Sequence, residues 1–127
     1  MSATARELRD STEGAHSQLL VRQLNEQIRS LAGPDALDIV CECVNGSCFE
    51  RLIVSLDEYE AVRRFPTRFV VKEGHVAGDI EREVVRLDGA VVVEKSGPDA
   101  EQAILFDPRR YRAGADADRA LRREMEA

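Results

Sequence analysis

All three cysteines of this chain lie within residues 41–48, in the stretch "CECVNGSC". Their spacing is C-x-C-x4-C, and Asn45-Gly46 is a strong signal for a tight turn between the second and the third cysteine. If residues 37–43 form a strand, Cys41 and Cys43 point to the same face, because side chains two apart on a strand do so. A turn would then fold Cys48 back toward them. The sequence therefore predicts three sulfur atoms in one place.

Sulfur atoms gathered in this way are typical of a metal site. Three neighbouring thiolates repel one another, and a divalent cation relieves the repulsion by holding them deprotonated. Zinc is the usual ion for a tetrahedral set of sulfur and nitrogen donors, and iron is the alternative. We predict His75, in a glycine-flanked loop, as the fourth ligand, with His16, a carboxylate or water as the alternatives. The opposing interpretation is that the cysteines are small apolar core residues.

Local patterns along the chain predict an α+β fold. Leucine and isoleucine recur at spacings of three and four over residues 20–31, which indicates a helix over 4–31. Strands are expected at 37–43, 49–55 and 67–71, and a hairpin at 82–95 around Asp88-Gly89. Ser55 and Glu58 form a capping box that predicts a helix over 56–64. We expect the N-terminal helix to pack on a small, mostly antiparallel sheet with a zinc-knuckle-like cysteine loop.

The length of 127 residues fits one ordinary domain. We predict a flexible N-terminal segment over 1–14, a zinc-stapled domain over 15–109, and a polar helical or disordered tail over 110–127. The chain contains no Trp and only six Phe and Tyr residues together, so its core must consist mainly of aliphatic side chains. Such a small core benefits from a cross-link, and a bound metal ion would provide one.

Charge and composition restrict the classes of partner. The net charge of −6 disfavours binding to nucleic acid or to an anionic membrane, since both need a basic surface. One cluster of arginines and aromatics is the alternative that would favour a nucleic acid. We instead expect Tyr59, Val62 and Phe65 to pack inward while its arginines are solvated. The cluster comprises Tyr59, Val62, Arg63, Arg64, Phe65, Arg68 and Phe69.

Cysteine usage bears on the compartment. The sequence contains no apolar run of the roughly 18–20 residues that a membrane span needs, and its N-terminal residues lack the apolar segment of a secretory signal. Clustered thiols in an odd number are typical of metal or redox groups in a reducing compartment rather than of a disulfide framework. We therefore expect a cytoplasmic protein that does not enter a membrane.

These patterns favour a structural zinc in a non-enzymatic interaction or regulatory module whose partner is another protein. A homodimer through the N-terminal helix is one form that such a contact could take. The first alternative is a metal-dependent, hydrolase-like enzyme with an open zinc position and Glu42, Glu50 or Glu73 as the base. The second is a redox- or zinc-responsive thiolate switch. No catalytic residue is assigned.

Several longer segments resemble a family of small bacterial proteins common in actinobacteria, for which no activity is established. The resemblance runs from about Leu24 to Arg109. It includes "NEQIRSL", "VCECVNGSC", "LDEYEAVRRFPTRFVVKEGH", "VVVEKSG" and "FDPR". Members of that family are similar at the C-x-C-x4-C run and at the later Gly-His. The resemblance therefore implies that Cys41, Cys43, Cys48 and His75 form one site, and it implies no function.

Overall fold

A computed structural model describes the backbone of residues 5–110 and the side chains of residues 14–110. Its elements, in chain order, are α1 (Ala5–Leu31), β1 (Leu37–Val40), β2 (Arg51–Val54), α2 (Leu56–Arg63), β3 (Arg68–Lys72), β4 (Glu81–Arg86), β5 (Ala90–Lys95) and α3 (Gly97–Leu105). The predicted α+β fold with an N-terminal helix and small antiparallel sheets is confirmed. The predicted tail over 110–127 lies, apart from residue 110, outside the described residues, and the predicted domain limits at residues 14 and 109 stay predictions.

The strands form two antiparallel sheets. β1 pairs with β2, so that Leu37 lies opposite Val54 and Val40 lies opposite Arg51. The second sheet has the order β3-β5-β4, and the first four residues of the central strand β5 are buried. The predicted Asp88-Gly89 turn joins β4 to β5, with Gly89 at a φ of 74°, which glycine adopts without steric cost. Strand β5 of this hairpin therefore lies in the core, whereas β4 is mostly exposed.

The cysteine segment connects the two sheets. The N–H of Cys41 still bonds to the carbonyl of Glu50 beside β2, at 2.8 Å. The next N–H, that of Glu42, bonds instead to the carbonyl of Val70 in β3, also at 2.8 Å. β1 is therefore shorter than the predicted strand over 37–43, and the cysteines lie in the β1–β2 connection. The chain changes its hydrogen-bonding partner at the first two cysteines.

Helix α2 begins where the sequence predicts. The Ser55 hydroxyl accepts the N–H of Glu58 at 3.0 Å, and the Glu58 carboxylate accepts the N–H of Ser55 at 2.8 Å. The two bonds satisfy backbone donors that a helix start otherwise leaves free. Tyr59 and Val62 point inward as expected, whereas Phe65 is 45% exposed. Arg63 was expected in solvent and is instead only 4% exposed, because it pairs with buried Glu42 at 2.7 Å.

Helix α1 packs on β1 through a face that is mainly polar, with Leu19 partly buried against the core beside it. Three of the four residues of the expected apolar stripe are exposed, with Leu20 54%, Leu24 46% and Leu31 89% accessible, whereas Ile28 is partly buried against the core. The buried face consists of Gln18, Arg22, Asn25 and Glu26. Gly14 does not interrupt the helix. Its missing side chain lets α1 approach the cysteine segment, since a Cβ there would lie 2.9 Å from the carbonyl oxygen of Val44.

Between residues 5 and 110, the structure contains no helix with the length and apolar character needed to cross a lipid bilayer.

Candidate metal centre

The structure brings the four predicted ligands together. One donor atom from each of Cys41, Cys43, Cys48 and His75 lies within 4.8 Å of every other. The His75 Nδ1 atom lies 3.7 Å from Cys41 Sγ and 3.6 Å from Cys48 Sγ. A tetrahedral zinc with Zn–S bonds of about 2.3 Å and Zn–N bonds of about 2.0–2.1 Å requires an S···N separation of about 3.6 Å. The donor spacing is therefore suitable for a tetrahedral metal ion.

A turn in the β1–β2 connection places the third sulfur. The N–H of Cys48 bonds to the carbonyl of Asn45 at 3.0 Å, which closes a four-residue turn with Gly46 and Ser47 at its centre. The Asn45 side chain also accepts the N–H of Ser47 at 3.1 Å, an Asx-type contact that asparagine favours in turns. The Asn-Gly signal in the sequence therefore corresponds to a real turn, and this turn returns Cys48 toward Cys41 and Cys43.

A second turn places the histidine. The chain leaves β3 at Lys72, and the N–H of His75 bonds back to the Lys72 carbonyl at 2.9 Å. Gly74 occupies the third position of this turn with a φ of 87°, a conformation that residues with a Cβ rarely adopt. His75 therefore reaches the cysteines from the second sheet. His16, the alternative histidine, is exposed on α1 and is not part of the cluster.

Burial controls the protonation of the thiols. Cys41 and Cys43 are buried, and Cys48 is partly exposed. Desolvation raises the pKa of Cys41 to about 12 and also raises the pKa of Cys43 above its usual value. The backbone N–H of Lys72 donates to Cys41 Sγ at 3.1 Å and acts in the opposite direction, in favour of the thiolate. A divalent cation would reverse the effect of burial by stabilising the thiolates directly.

The residue between the first two cysteines points away from them. Glu42 is fully buried, and its carboxylate accepts hydrogen bonds from Arg63 at 2.7 Å, from the Val70 N–H at 2.8 Å and from Asn25 at 2.9 Å. Because Glu42 alternates with Cys41 and Cys43, fixing its carboxylate on one side holds both sulfurs on the other. Glu42 is therefore a positioning residue for the cluster.

Helix α1 also orients the cysteine segment. Asn25 pairs with both the N–H and the carbonyl of Val40, each at 2.9 Å, immediately before Cys41. Gln18 donates to the Glu42 carbonyl at 2.9 Å, immediately before Cys43. Sequence reasoning missed these contacts. The only signal for them is the spacing of Gln18, Arg22, Asn25 and Glu26, which forms a helical stripe of its own beside the leucine stripe.

An open groove borders the cluster on its solvent side. It is lined by Asn45, Ser47, Cys48, Phe49, Glu50, Arg51 and His75. Cys48 and His75 are the cluster members that line it, which agrees with the burial of Cys41 and Cys43. Solutes would therefore reach the cluster from the side of Cys48.

Comparison with known proteins gives no match: no protein-family model fits the sequence, and neither a curated protein nor a solved structure matches the chain. The resemblance to the actinobacterial family therefore stays a prediction.

Proposed function

We propose that this protein binds one Zn²⁺ ion through the thiolates of Cys41, Cys43 and Cys48 and through Nδ1 of His75. The observation that carries the proposal is the convergence of four donor atoms with S···N separations of 3.6 and 3.7 Å. Sulfur-rich tetrahedral sets favour zinc, and iron is the competing metal. Three of the donors come from the connection between β1 and β2, and the fourth comes from the loop after β3.

The role that we propose for the ion is structural. Four protein donors complete a tetrahedron and leave no position for a substrate or a reactive water. The carboxylates that an enzyme would use as a base are already engaged: Glu42 with buried Arg63, Glu50 with Lys72 at 3.2 Å, and Glu73 with Arg86 at 3.7 Å. This arrangement supports a metal that stabilises the fold over a metal that activates water.

A bound ion would join the two sheets of the domain. Cys41 and His75 are 34 residues apart in sequence, so their shared ligation would close a long loop and restrict the unfolded chain. It would also fix the two turns at residues 45–48 and 72–75, neither of which contains much apolar surface. The ion thereby substitutes for core that this aromatic-poor chain does not possess.

With a structural metal, the protein itself would act through contacts with another protein, in the cytoplasm, as an interaction or regulatory module. Large apolar side chains at the surface support this role. They include Leu20, Leu24, Leu31, Phe49 and Phe106, each more than 45% exposed. Leu20 and Phe106 line one hollow beside α1, and contiguous apolar surface of this kind marks contact sites in proteins that function by association.

A thiolate switch is a second candidate, favoured by the partial exposure of Cys48. Hydrogen peroxide entering the groove would oxidise the Cys48 thiolate to sulfenic acid and release hydroxide. The Cys43 thiolate would then attack the sulfenic sulfur, forming a disulfide and releasing hydroxide. The ion would lose two ligands and leave.

Mild peroxide should therefore release zinc from the wild type and form a Cys43–Cys48 disulfide, detectable by mass spectrometry. Release without this disulfide would contradict the mechanism.

The decisive experiment is elemental analysis of the purified full-length chain after dialysis against a weak chelator. The wild type should retain about one zinc ion per chain. Cys43→Ser and His75→Ala should each lose most of it, because the remaining three donors bind more weakly. His16→Ala is the matched control and should retain the metal. A wild type without metal, or iron in place of zinc, would overturn the proposal.

A further inference from the structure

The solvent face of α1 carries no charge between residues 16 and 31. Its exposed residues recur at spacings of one, three and four, so they form one continuous helical stripe: His16, Leu20, Gln23, Leu24, Gln27, Ser30 and Leu31. None of them is acidic or basic when histidine is neutral, although charged residues make up 33% of the chain. Arg29, the one charged residue between residues 16 and 31 that is not fully buried, is half-buried and paired with Glu60 at 2.8 Å.

The end of α3 extends this uncharged face. Phe106, 52% exposed, lies beside α1 and forms an apolar hollow with Leu19 and Leu20, bordered by His16 and Gln23. Leucine and phenylalanine side chains that are about half-exposed lose part of the free energy that burial of their apolar surface would give them. The uncharged face is defined by the residues of the hollow and three further residues of α1: His16, Leu19, Leu20, Gln23, Leu24, Gln27, Leu31 and Phe106.

We infer that the uncharged face binds a second copy of this chain, in a two-fold contact between α1 helices. In such a contact the same surface meets itself, so a face with charges of one sign would repel its copy. The chain as a whole carries −6 and repels another copy elsewhere, whereas this face presents no charge to repel or attract. An acidic or a basic partner would find no complementary group here.

The residue types of the face are also self-complementary. Gln23 and Gln27 each carry a donor and an acceptor on one amide, so a glutamine can pair with a glutamine of the second copy. Leu20 and Leu24 lie one turn apart and can insert between side chains of the facing helix, as in other helix pairs. The hollow beside Phe106 offers space for one such leucine. This inference names the partner for the proposed interaction role, and it does not depend on the metal.

Sedimentation equilibrium of the full-length chain tests the inference over protein concentrations of about 1–100 µM. We expect twice the 14.2 kDa chain mass in the upper part of this range. Leu24→Glu should weaken the dimer at least about tenfold, because it places like charges in the contact. Ile53→Glu is the matched control: Ile53 is 73% exposed on β2, outside the face, and its substitution should leave the dissociation constant unchanged.

Gln27→Glu provides a second test without the loss of apolar surface and should also weaken the dimer. An equimolar mixture of Leu24→Glu and Leu24→Lys chains should recover the dimer mass that each variant alone loses, whereas a dimer formed outside α1 would show neither the loss nor the recovery. A wild type that stays monomeric, or a dimer sensitive only to Ile53→Glu, would overturn the inference. Zinc content is measured in every sample, so that a failed dimer prediction with normal metal binding is distinguished from a failed metal proposal.

Discussion

The side-chain amide of Asn25 pairs with the backbone of Val40 in both directions: Val40 N–H donates to Asn25 Oδ1, and Asn25 Nδ2 donates to the Val40 carbonyl, each at 2.9 Å. An amide that accepts and donates in this way replaces the backbone of a neighbouring strand. Helix α1 therefore completes the outer edge of β1 one residue before the first cysteine.

Replacement of Asn25 by alanine is expected to destabilise the fold by about 2–4 kcal/mol, since it leaves buried groups of Val40 and Glu42 without partners. Urea denaturation of the zinc-loaded protein measures this. Gln102→Ala, at an exposed position of α3 outside the uncharged face, is the control and should change the free energy of unfolding by no more than about 0.5 kcal/mol. Equal effects of both changes would show that Asn25 contributes only helix propensity.

Gly14→Ala should destabilise the protein, although alanine favours a helix over glycine by about 1 kcal/mol. The added Cβ would lie 2.9 Å from the Val44 carbonyl oxygen and 3.0 Å from Val44 Cβ, and the first of these belongs to the backbone. We expect a net loss of about 1–2 kcal/mol from overpacking, together with weaker zinc binding, because Val44 follows Cys43. Gly33→Ala, with no atom within 4 Å of the added Cβ, is the control. A more stable Gly14→Ala protein would contradict the close approach.

The buried Glu42–Arg63 pair should be far more sensitive than a surface pair. Glu42→Gln would leave the Arg63 guanidinium, 4% exposed, without its counter-charge, and we expect a loss of about 3 kcal/mol or more. Asp38→Asn breaks the exposed pair with Arg51, at 3.0 Å, and should cost less than about 1 kcal/mol. Thermal and urea unfolding of both variants measures the contrast, and similar losses would disprove it.

Removal of the metal should lower the melting temperature of the wild type by at least about 10 °C, as expected if the ion contributes a few kcal/mol to a domain of this size. Differential scanning calorimetry with and without a strong chelator measures the shift. Cys48→Ser should melt near the chelated wild type and respond little to the chelator. Ser47→Ala, in the same turn, should respond as the wild type does. A chelator-insensitive wild type would exclude a structural role for the ion.

Acid should weaken the contact between α2 and the end of the described chain. Hydrogen bonds from Arg109 at 2.7 Å and Arg29 at 2.8 Å lower the pKa of Glu60 to about 2. Its contribution is therefore fully present above the unfolded pKa of about 4.5 and is lost as the pH falls from there toward 2. Since the Glu60 side chain is 34% exposed, we expect Glu60→Gln to cost only about 1 kcal/mol at pH 7.

The difference in unfolding free energy between wild type and Glu60→Gln should therefore shrink between pH 5 and pH 3, measured by urea unfolding. The comparison of two proteins at each pH cancels the effect of acid on the metal. A difference that is constant with pH would show that Glu60 does not contribute through its charge.

The features that the sequence predicts correctly are those specified within a few residues. The Ser55–Glu58 capping box, the Asp88-Gly89 hairpin and the turn before Cys48 each depend on local hydrogen bonds or on a glycine φ. The proximity of the sulfurs follows from such local rules as well. The position of His75 beside the cysteines does not follow from local rules, because only the tertiary fold brings the loop after β3 to the loop after β1.

The orientation of α1 could not be predicted from its hydrophobic pattern. A leucine stripe ordinarily faces the core, yet here the buried face forms hydrogen bonds to partners that are distant in sequence. Gln18 donates to Glu81, 63 residues away, at 2.6 Å, and Arg22 donates to the Ala103 carbonyl, 81 residues away, at 2.9 Å. No local pattern encodes such partners. Arg63 was expected in solvent for the same reason: its partner Glu42 lies 21 residues away in sequence.

A helix held by hydrogen bonds has a more precisely defined position than a helix held by leucines. Apolar side chains tolerate a small slide along their neighbours, whereas directional bonds such as those of Gln18 and Asn25 break together if α1 shifts by one residue. Because these bonds end at Val40 and Glu42, the helix positions the peptide units beside Cys41 and Cys43. In this fold the geometry available to an ion is set from a helix that provides none of its ligands.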